Sequence, residues 1–543
     1  MRNSLIVLVF VFFSTLQLQL YSQVTQEWVK TCNVSGNSVE QGIAVTVDSD
    51  NNIYSLGYTE SSGVNNSRDF LLVKYSPGGT QLWADTYNGP SDNIDDPIAI
   101  ATSISGNVYI TGNSIGTGTG YDIVTMMYDS GGSRQWVQRF NGSGNSLDEV
   151  CAIVTDGNNN VYIAGSSFPT IGQSQCFIIK YNSAGQQQWI RIYNQLPAFA
   201  SSLTLSKNGN FYLTGACHRS TEGNDFMTIK YDNEGVQKWI RCYGSVYCNE
   251  VSKLVQVDSQ ENIYVAGEYD TTIGHKIVTI KYNSNGILLW LRDYMVNYVS
   301  PGLFSMAVGK DQNPLLLLWN GTGNNHFEIS VIKYDSLGNI NWQTSYPGVP
   351  QGMAVDNSGS VYVTGWDLIP NVPGGATTIK YNPEGIQQWV KTVNPGQNTT
   401  GKSVVIDMYE NVYVTGQGVL NNTSNDLMTV KYSQPIGIQP ISSETPNQFS
   451  LSQNYPNPFN PTTKIKFSIP TLLNPPERGK FGREVSLIVY DMLGKEVATL
   501  VNEQLKPGTY EVDFDGSNYA SGIYFYKLVA GEFAETKRMV LIK

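Results

Sequence analysis

The sequence predicts an all-β protein, an eight-bladed β-propeller followed by a small immunoglobulin-like β-sandwich. Three observations predict the propeller. A tyrosine, a glycine four residues on and a tryptophan four beyond recur seven times: Tyr75–Gly79–Trp83, Tyr128–Gly132–Trp136, Tyr181–Gly185–Trp189, Tyr231–Gly235–Trp239, Tyr282–Gly286–Trp290, Tyr334–Gly338–Trp342 and Tyr381–Gly385–Trp389. The tyrosines lie 53, 53, 50, 51, 52 and 47 residues apart, and self-similarity at a period near 50 marks a repeat architecture. A run of β-branched and aromatic residues closed by glycine recurs as well. The final repeat, lastly, lacks a tryptophan strand, while an ownerless one stands near the start of the chain.

The unit near Glu250 shows four strands, A to D. Val251–Asp258 is apolar and ends in an Asp-containing turn; Asn262–Gly267 follows as strand B. Ile277–Tyr282 is strand C, and the turn Asn283-Ser284-Asn285-Gly286 leads into strand D, Leu288–Tyr294, which carries Trp290. Short strands bounded by Asn, Asp and Gly turns are hairpin signals, and no 3.6-residue apolar period survives the glycines. Strand B recurs at Asn52–Gly57, Asn107–Gly112, Asn160–Gly165, Asn210–Gly215, Ser360–Gly365 and Asn411–Gly416, with a degenerate copy at Asn313–Trp319. Strand C ends at the seven tyrosines and at Tyr432, giving eight units.

Four-stranded units repeated radially make a propeller. Tyr432 is followed by Ser433-Gln434-Pro435 and no tryptophan, whereas Glu27-Trp28-Val29-Lys30 precedes the first strand A. The N-terminal strand is therefore expected to complete the eighth blade, leaving no open blade face. Trp28, Trp83, Trp136, Trp189, Trp239, Trp290, Trp342 and Trp389 are then packing residues, needing no ligand to explain them. The repeated lysines Lys74, Lys180, Lys230, Lys281, Lys333, Lys380 and Lys431 read as partners between blades. The units resemble the β-propeller repeats of secreted bacterial proteins, through Asn411–Gly416 (NVYVTG), Thr378–Tyr381 (TIKY) and Gly385–Trp389, over residues 24–432. That family is often described as seven-bladed; the count here is eight.

Residues 1–22 read as an export signal, with Arg2 before the apolar Leu5–Phe13. Nothing later resembles a transmembrane helix. Residues 433–448 are a Pro/Ser-rich linker, and 449–543 carry alternating strands at Lys464–Ile469, Val485–Tyr490, Tyr510–Phe514, Ile523–Leu528 and Lys537–Ile542. This module resembles the type A C-terminal sorting domain of type IX secretion, through residues 451–470, 489–500 and 521–543, with Thr471–Arg483 expected as a loop. The resemblance implies periplasmic transit, the type IX machinery as partner, and a secreted or outer-surface destination.

Net charge −11 and pI near 4.9 exclude nucleic-acid binding through a basic surface and docking on anionic membranes. The six cysteines lack zinc-type pairing. Buried free thiols are expected, with Cys242–Cys248 as the pair to test. His218, His275 and His326 lie in separate units without metal-ligand spacing. A vague resemblance to eight-bladed quinoprotein dehydrogenases fails on the missing adjacent-cysteine pair. Asp48-x-Asp50-x-Asn52 has partial calcium-loop spacing and reads as a hairpin turn.

Chain order puts the A–B and C–D turns on one side of the array and the B–C and D–A loops on the other. The first set is stereotyped and the second varies among copies, which makes it the expected recognition face. Phe168, Tyr298, Trp366, Asn421 and Asn422 are its candidate contacts. Glu40, Asp95, Asp148 and Glu250 recur before strand A, and Asp69, Asp122, Asp225, Glu328 and Asp426 before strand C. Converging oxygens suit Ca2+; acids that tie loops to backbone N–H groups are the competing reading. No cofactor is otherwise expected. The chain reads as a monomeric, non-enzymatic scaffold for an extracellular glycan or protein. A structural or adhesive envelope role and an extracellular polymer-degrading lyase or hydrolase are the alternatives.

Overall fold

The structure, a computed structural model, describes residues 24–543 apart from 35–37, 61–66, 171–172, 220–222, 245–249, 272–273, 297–301, 324–325, 370–373, 395–398, 420–424, 435–438, 443–445, 471–482, 506 and 518. The export signal and the expected loop after Pro470 fall outside the described residues. Two compact units are present, Val24–Ile436 and Gly437–Lys543. Every regular element among the described residues is a β-strand.

In the larger unit, strands Val39–Val47, Ile53–Glu60, Arg68–Tyr75 and Gln81–Tyr87 form a four-stranded antiparallel meander, and the pattern repeats along the chain. The sixth and seventh repeats depart from it. Strand Ile340–Val355 pairs first with His326–Tyr334 and then with Val361–Asp367, fusing two meanders into one seven-stranded sheet. The polar loop that elsewhere separates repeats, such as 88–94, is replaced here by Tyr346-Pro347-Gly348-Val349-Pro350, which runs on as strand. The last sheet joins Thr400–Ile406, Val412–Gly418 and Asp426–Ser433 to the N-terminal strand Thr25–Cys32, with Trp28 opposite Lys431 and Val29 opposite Val430.

The same local chemistry builds each repeat. At the A–B turn, Asp48 Oδ1 accepts the N–H groups of Asp50 and Asn52, while Oδ2 accepts Asn52 Nδ2 and the buried Tyr54 hydroxyl. Asp156, Asp356 and Asp407 cap their turns the same way. This side-chain capping is what makes Asp a turn residue, so the Asp48 segment is a hairpin and its oxygens are committed. Where serine replaces the aspartate, the tyrosine reaches to the next repeat: Tyr109 to Asn159 O at 3.1 Å and Tyr212 to Glu261 Oε2 at 2.5 Å. In the sixth repeat Leu315 stands in the tyrosine's place opposite Lys333, and Asp311 pairs with that lysine at 2.8 Å.

Each strand D has a register shift between the tryptophan and tyrosine pairings, for example between Lys74↔Trp83 and Tyr75↔Gln81, with Met127 in the lysine's place in the second repeat. The bulge re-aims the tryptophan onto the C–D turn of the following repeat. Seven of the turn glycines have positive φ and sit against the preceding ring. A Cβ at Gly132 would lie 2.7 Å from Trp83, and one at Gly385 2.6 Å from Trp342. Only glycine gives this combination of left-handed backbone and close approach. The indole N–H donates to the second residue after the tyrosine, at Ser130, Ser183, Ser284, Ser336 and Pro383, over 2.9–3.4 Å. Lys74, Lys230 and Lys333 donate to the same carbonyls as the tryptophans of their own repeats.

The series continues through both chain ends. Trp28, on the N-terminal strand of the last repeat's sheet, packs on Gly79 of the first repeat and donates to Pro77 O at 3.2 Å, with Lys431 on the same oxygen. Trp389 of the seventh repeat meets an eighth repeat that has no C–D turn. There the side chain of Gln434 stands in, accepting Trp389 Nε1 at 3.2 Å and Lys380 Nζ at 2.7 Å. Its amide nitrogen is fixed by Tyr362 OH and Glu410 O. Inner strands of the last and first repeats also meet, where a Cβ on Gly42 would lie 2.3 Å from Thr415 Oγ1.

The smaller unit has two four-stranded antiparallel sheets. One holds Gln439–Ser442, Ser450–Leu451, Thr462–Ile469 and Gly508–Asp515; the other Arg483–Tyr490, Glu496–Leu505, Gly522–Ala530 and Phe533–Leu541. Alternate residues such as Ile465, Phe467, Val485, Leu487, Tyr526 and Leu528 are buried, as period-2 patterning requires. The stretch read as linker contributes a strand, because Gln439–Ser442 pairs with Gly508–Asp515. Glu496–Leu505 is a further strand that the alternation did not reveal, its polar Asn502-Glu503-Gln504 breaking the pattern.

Candidate functional site

The two ends of the repeats differ in chemistry. The A–B and C–D turns close with the same backbone hydrogen bonds in copy after copy, for instance Asn159 N to Asp156 O and Gly185 N to Asn182 O. At the other end the stretch between strands B and C runs over residues 61–67 in the first repeat and 368–375 in the seventh, but only 272–273 in the fifth. This end therefore varies from repeat to repeat where the other is uniform.

Buried acids line the same end. Glu40, Asp95, Asp148 and Glu250 are all 2% exposed or less. Glu40, Asp95 and Asp148 hold the D–A loop, because the residue six positions earlier points its N–H at the carboxylate. Gly89 N lies 2.6 Å from Asp95 Oδ2, Gly142 N 2.7 Å from Asp148 Oδ2 and Val34 N 3.4 Å from Glu40 Oε1. A Cβ on Gly89 or Gly142 would come within 2.6 Å of the carboxylate, so the glycine–acid spacing was a usable signal. Thr59 and Ser38 hydroxyls also donate to Glu40.

The two rows of acids meet in pairs across repeat junctions. Asp426 faces Glu40, Asp69 faces Asp95, and Asp122 faces Asp148. Asp225 and Glu250 both approach the place a Cβ on Gly244 would take, at 2.0 and 2.8 Å. Burial first, then the neighbouring acid, pushes the Asp69 carboxyl up to about 6. Burial likewise raises Glu40, Asp95 and Asp148 against the hydrogen bonds that lower them. Arg139 offsets one junction, bonding Asp122 Oδ2 at 2.9 Å and Ser114 Oγ at 2.6 Å. Pairs are as far as the clustering goes: among the described residues no three His, Cys, Asp or Glu side chains are grouped to hold a metal ion. The candidate Ca2+ ligands Glu40, Asp95, Asp148 and Glu250 sit in four separate repeats.

Of the expected contacts, Tyr298, Asn421 and Asn422 lie outside the described residues. Phe168 is half-buried in strand Val161–Thr170, its N–H bonded to Leu147 O. Trp366, in strand Val361–Asp367, is the one exposed tryptophan among the described residues, at 38%. The two belong to the third and seventh repeats and are not brought together. Trp366 has a built surrounding: Gly374 lies against its indole, where a Cβ would be 2.3 Å from Nε1, and Asp367 accepts Gly375 N at 2.6 Å and the Thr392 hydroxyl at 3.1 Å. Gln434, Ser114 and Arg139 were not singled out from sequence, since each substitutes for a partner supplied differently elsewhere.

Comparison with known proteins agrees with the repeat chemistry. Residues 135–167 match the β-propeller repeat family, and residues 453–543 match the secretion system C-terminal sorting domain family. The chain thus carries a β-propeller repeat and a type IX C-terminal sorting domain. It is therefore exported, to the cell surface or beyond, through the type IX machinery. Among the described residues no helix is long and apolar enough to cross a membrane. No curated protein matches. Solved structures similar to this repeat protein include prolyl oligopeptidase B from Galerina marginata, at 11% identity and TM-score 0.40, over 80% of this chain and 55% of that one. A protein of unknown function from Dyadobacter fermentans matches at 10% identity and TM-score 0.39, over 76% and 99%. Polysaccharide lyase Uly1 matches at 9% and 0.40, over 72% and 90%. The matched region thus spans about half of the oligopeptidase.

Proposed function

We propose that Val24–Ile436 is an eight-bladed propeller, sealed by its N-terminal strand, that serves as a non-enzymatic binding scaffold for an extracellular glycan. The smaller unit, in this reading, is an immunoglobulin-like sandwich that delivers it. The observation that supports a closed ring is the tryptophan series, in which each ring docks on the next repeat and Trp28 returns the series to Gly79. Such closure leaves the variable B–C and D–A loops as one rigid, repeat-specific surface. A glycan ligand suits Trp366, because an exposed indole held by backbone and a buried carboxylate offers an apolar face with polar neighbours.

A glycan array probed with the full chain, with and without chelator, tests the reading. Binding should survive chelation and disappear in Trp366→Ala with an unchanged thermal midpoint. Binding undiminished in that variant would reject Trp366 as a contact, and products released from a polysaccharide panel would replace the scaffold with catalysis.

A further inference from the structure

In the smaller unit, strands Arg483–Tyr490 and Glu496–Leu505 are joined by the tight turn Asp491-Met492-Leu493-Gly494-Lys495. Asp491 builds it. Its Oδ1 accepts the N–H groups of Leu493 and Lys495, both at 2.9 Å, and its backbone carbonyl accepts Gly494 N at 3.1 Å. Gly494 supplies the left-handed residue, at φ +81°, with open space where a Cβ would stand. None of these bonds uses the side chain of Met492 or Leu493.

The same turn recurs in the larger unit, where Asp129, Asn182, Asp232, Asn283 and Asp335 accept the same pair of N–H groups. There the two tip positions hold Ser130-Gly131, Ser183-Ala184, Asn233-Glu234, Ser284-Asn285 and Ser336-Leu337. The turn therefore forms with small or polar tips and does not call for two large apolar ones. Met492 and Leu493 are nonetheless 69% and 94% exposed, and Leu493 is the most exposed large apolar residue among the described ones. The interior of the unit takes Val485, Leu487 and Val489 from the preceding strand instead. A single exposed leucine such as Leu337 is ordinary. Two adjacent apolar side chains, rimmed by the exposed Lys495 and Glu496 and fixed on a hydrogen-bonded turn, make a preorganised knob.

We propose that Met492 and Leu493 are the knob by which this sorting domain seats in an apolar pocket of the type IX machinery. The partner follows from the unit that carries the knob, because residues 453–543 match the sorting domain family, and that family works with this machinery. Seating both side chains removes apolar surface from water. The turn is already ordered by Asp491, so little conformational entropy is lost on docking. Asp491 is then a positioning residue, which holds the tip and does not itself enter the pocket.

Export of the full chain by its own route tests this, with periplasm, cell surface and medium assayed separately. Met492→Ser/Leu493→Ser should cut the exported fraction by about tenfold or more, the size of a lost hot-spot contact. The chain should then collect in the periplasm with the parent's thermal midpoint. The apolar exchange Met492→Leu/Leu493→Met should restore export, and Leu337→Ser, on the same turn in the larger unit, should leave it unchanged. Export of the serine pair at the parent level, or an equal loss in the apolar exchange, would overturn the proposal. A photo-crosslinking amino acid in place of Leu493 decides even if the serine pair fails to fold. It should link to a type IX component identified by mass; a link to none, or an equal link from the place of Leu337, would overturn the proposal too.

Discussion

Replacing Trp28 by alanine isolates the contact that ties the two ends of the repeat array together. The half-buried indole lies against Gly79, donates to Pro77 O at 3.2 Å, and has Tyr75 and Tyr413 at centroid distances of 6.0 and 6.3 Å. Truncating a fully buried tryptophan costs about 3–5 kcal/mol. Partial exposure trims that to roughly 2–3 kcal/mol, and the hydrogen bond adds about 1 kcal/mol. Pro77 O keeps its bond from Lys431, so no acceptor is stranded. A net loss near 3 kcal/mol is expected, read from the urea midpoint at unchanged signal amplitude. Trp136→Ala, with an equivalent glycine and carbonyl at Gly185 and Ser183, is the control. It removes the same contact at a junction where the chain also runs on covalently, so it should leave limited proteolysis at residues 24–32 unchanged while Trp28→Ala speeds it. A Trp28→Ala chain within about 0.5 kcal/mol of the parent, and equally protease-resistant, would refute the closing role of this strand.

Further outcomes follow from the same geometry. Gln434→Ala removes the acceptor shared by Trp389 and Lys380 and should cost about 2–3 kcal/mol, with Gln434→Glu recovering part of it in the same denaturation assay. Asp69 has its folded pKa raised to about 6, so the stability it contributes is full below its unfolded value near 4 and is lost as pH rises through 6. Asp69→Asn should flatten that fall and stabilise the chain at pH 7 by about 1–2 kcal/mol after solvent screening. An unaltered pH slope between 4 and 7 would reject the burial argument. Deleting residues 453–543, the sorting domain, should strand the chain in the periplasm, as fractionation would detect.

Much of the repeat was legible because its signals are local. Turn residues, alternation and the tyrosine–glycine–tryptophan spacing act within a few positions, and they located strands A to D and the N-terminal partner of Tyr432. What the sequence hid depends on substitution at a distance. Gln434 replaces a backbone carbonyl with a side chain, so no repeat pattern marks it. The strand Ile340–Val355 continues where a loop was expected because Pro347 and Pro350 resemble turn residues yet sit in extended backbone. Glu496–Leu505 and Gln439–Ser442 were missed because their polar composition looks like loop. For the site, both rows of acids were visible, but their pairing across junctions depends on how neighbouring sheets face each other. Phe168 and Trp366 look like loop aromatics in the sequence, and strand positions in the third and seventh repeats keep them apart.

The N-terminal strand finds its partner only when almost the whole propeller-repeat segment has been made: Glu27 and Ser433, bonded side chain to side chain, are 406 positions apart. Loop closure over such a span is entropically slow, and domains fold from the N-terminus as they emerge. Residues 25–32 therefore have to wait, unpaired, while the repeats that follow them in the chain are made. A chain cut short anywhere before Ser433 would present both an orphan strand and a bare sheet edge, the form that quality-control proteases and chaperones recognise. Completion of the array thus removes the orphan strand and the bare sheet edge in a single step.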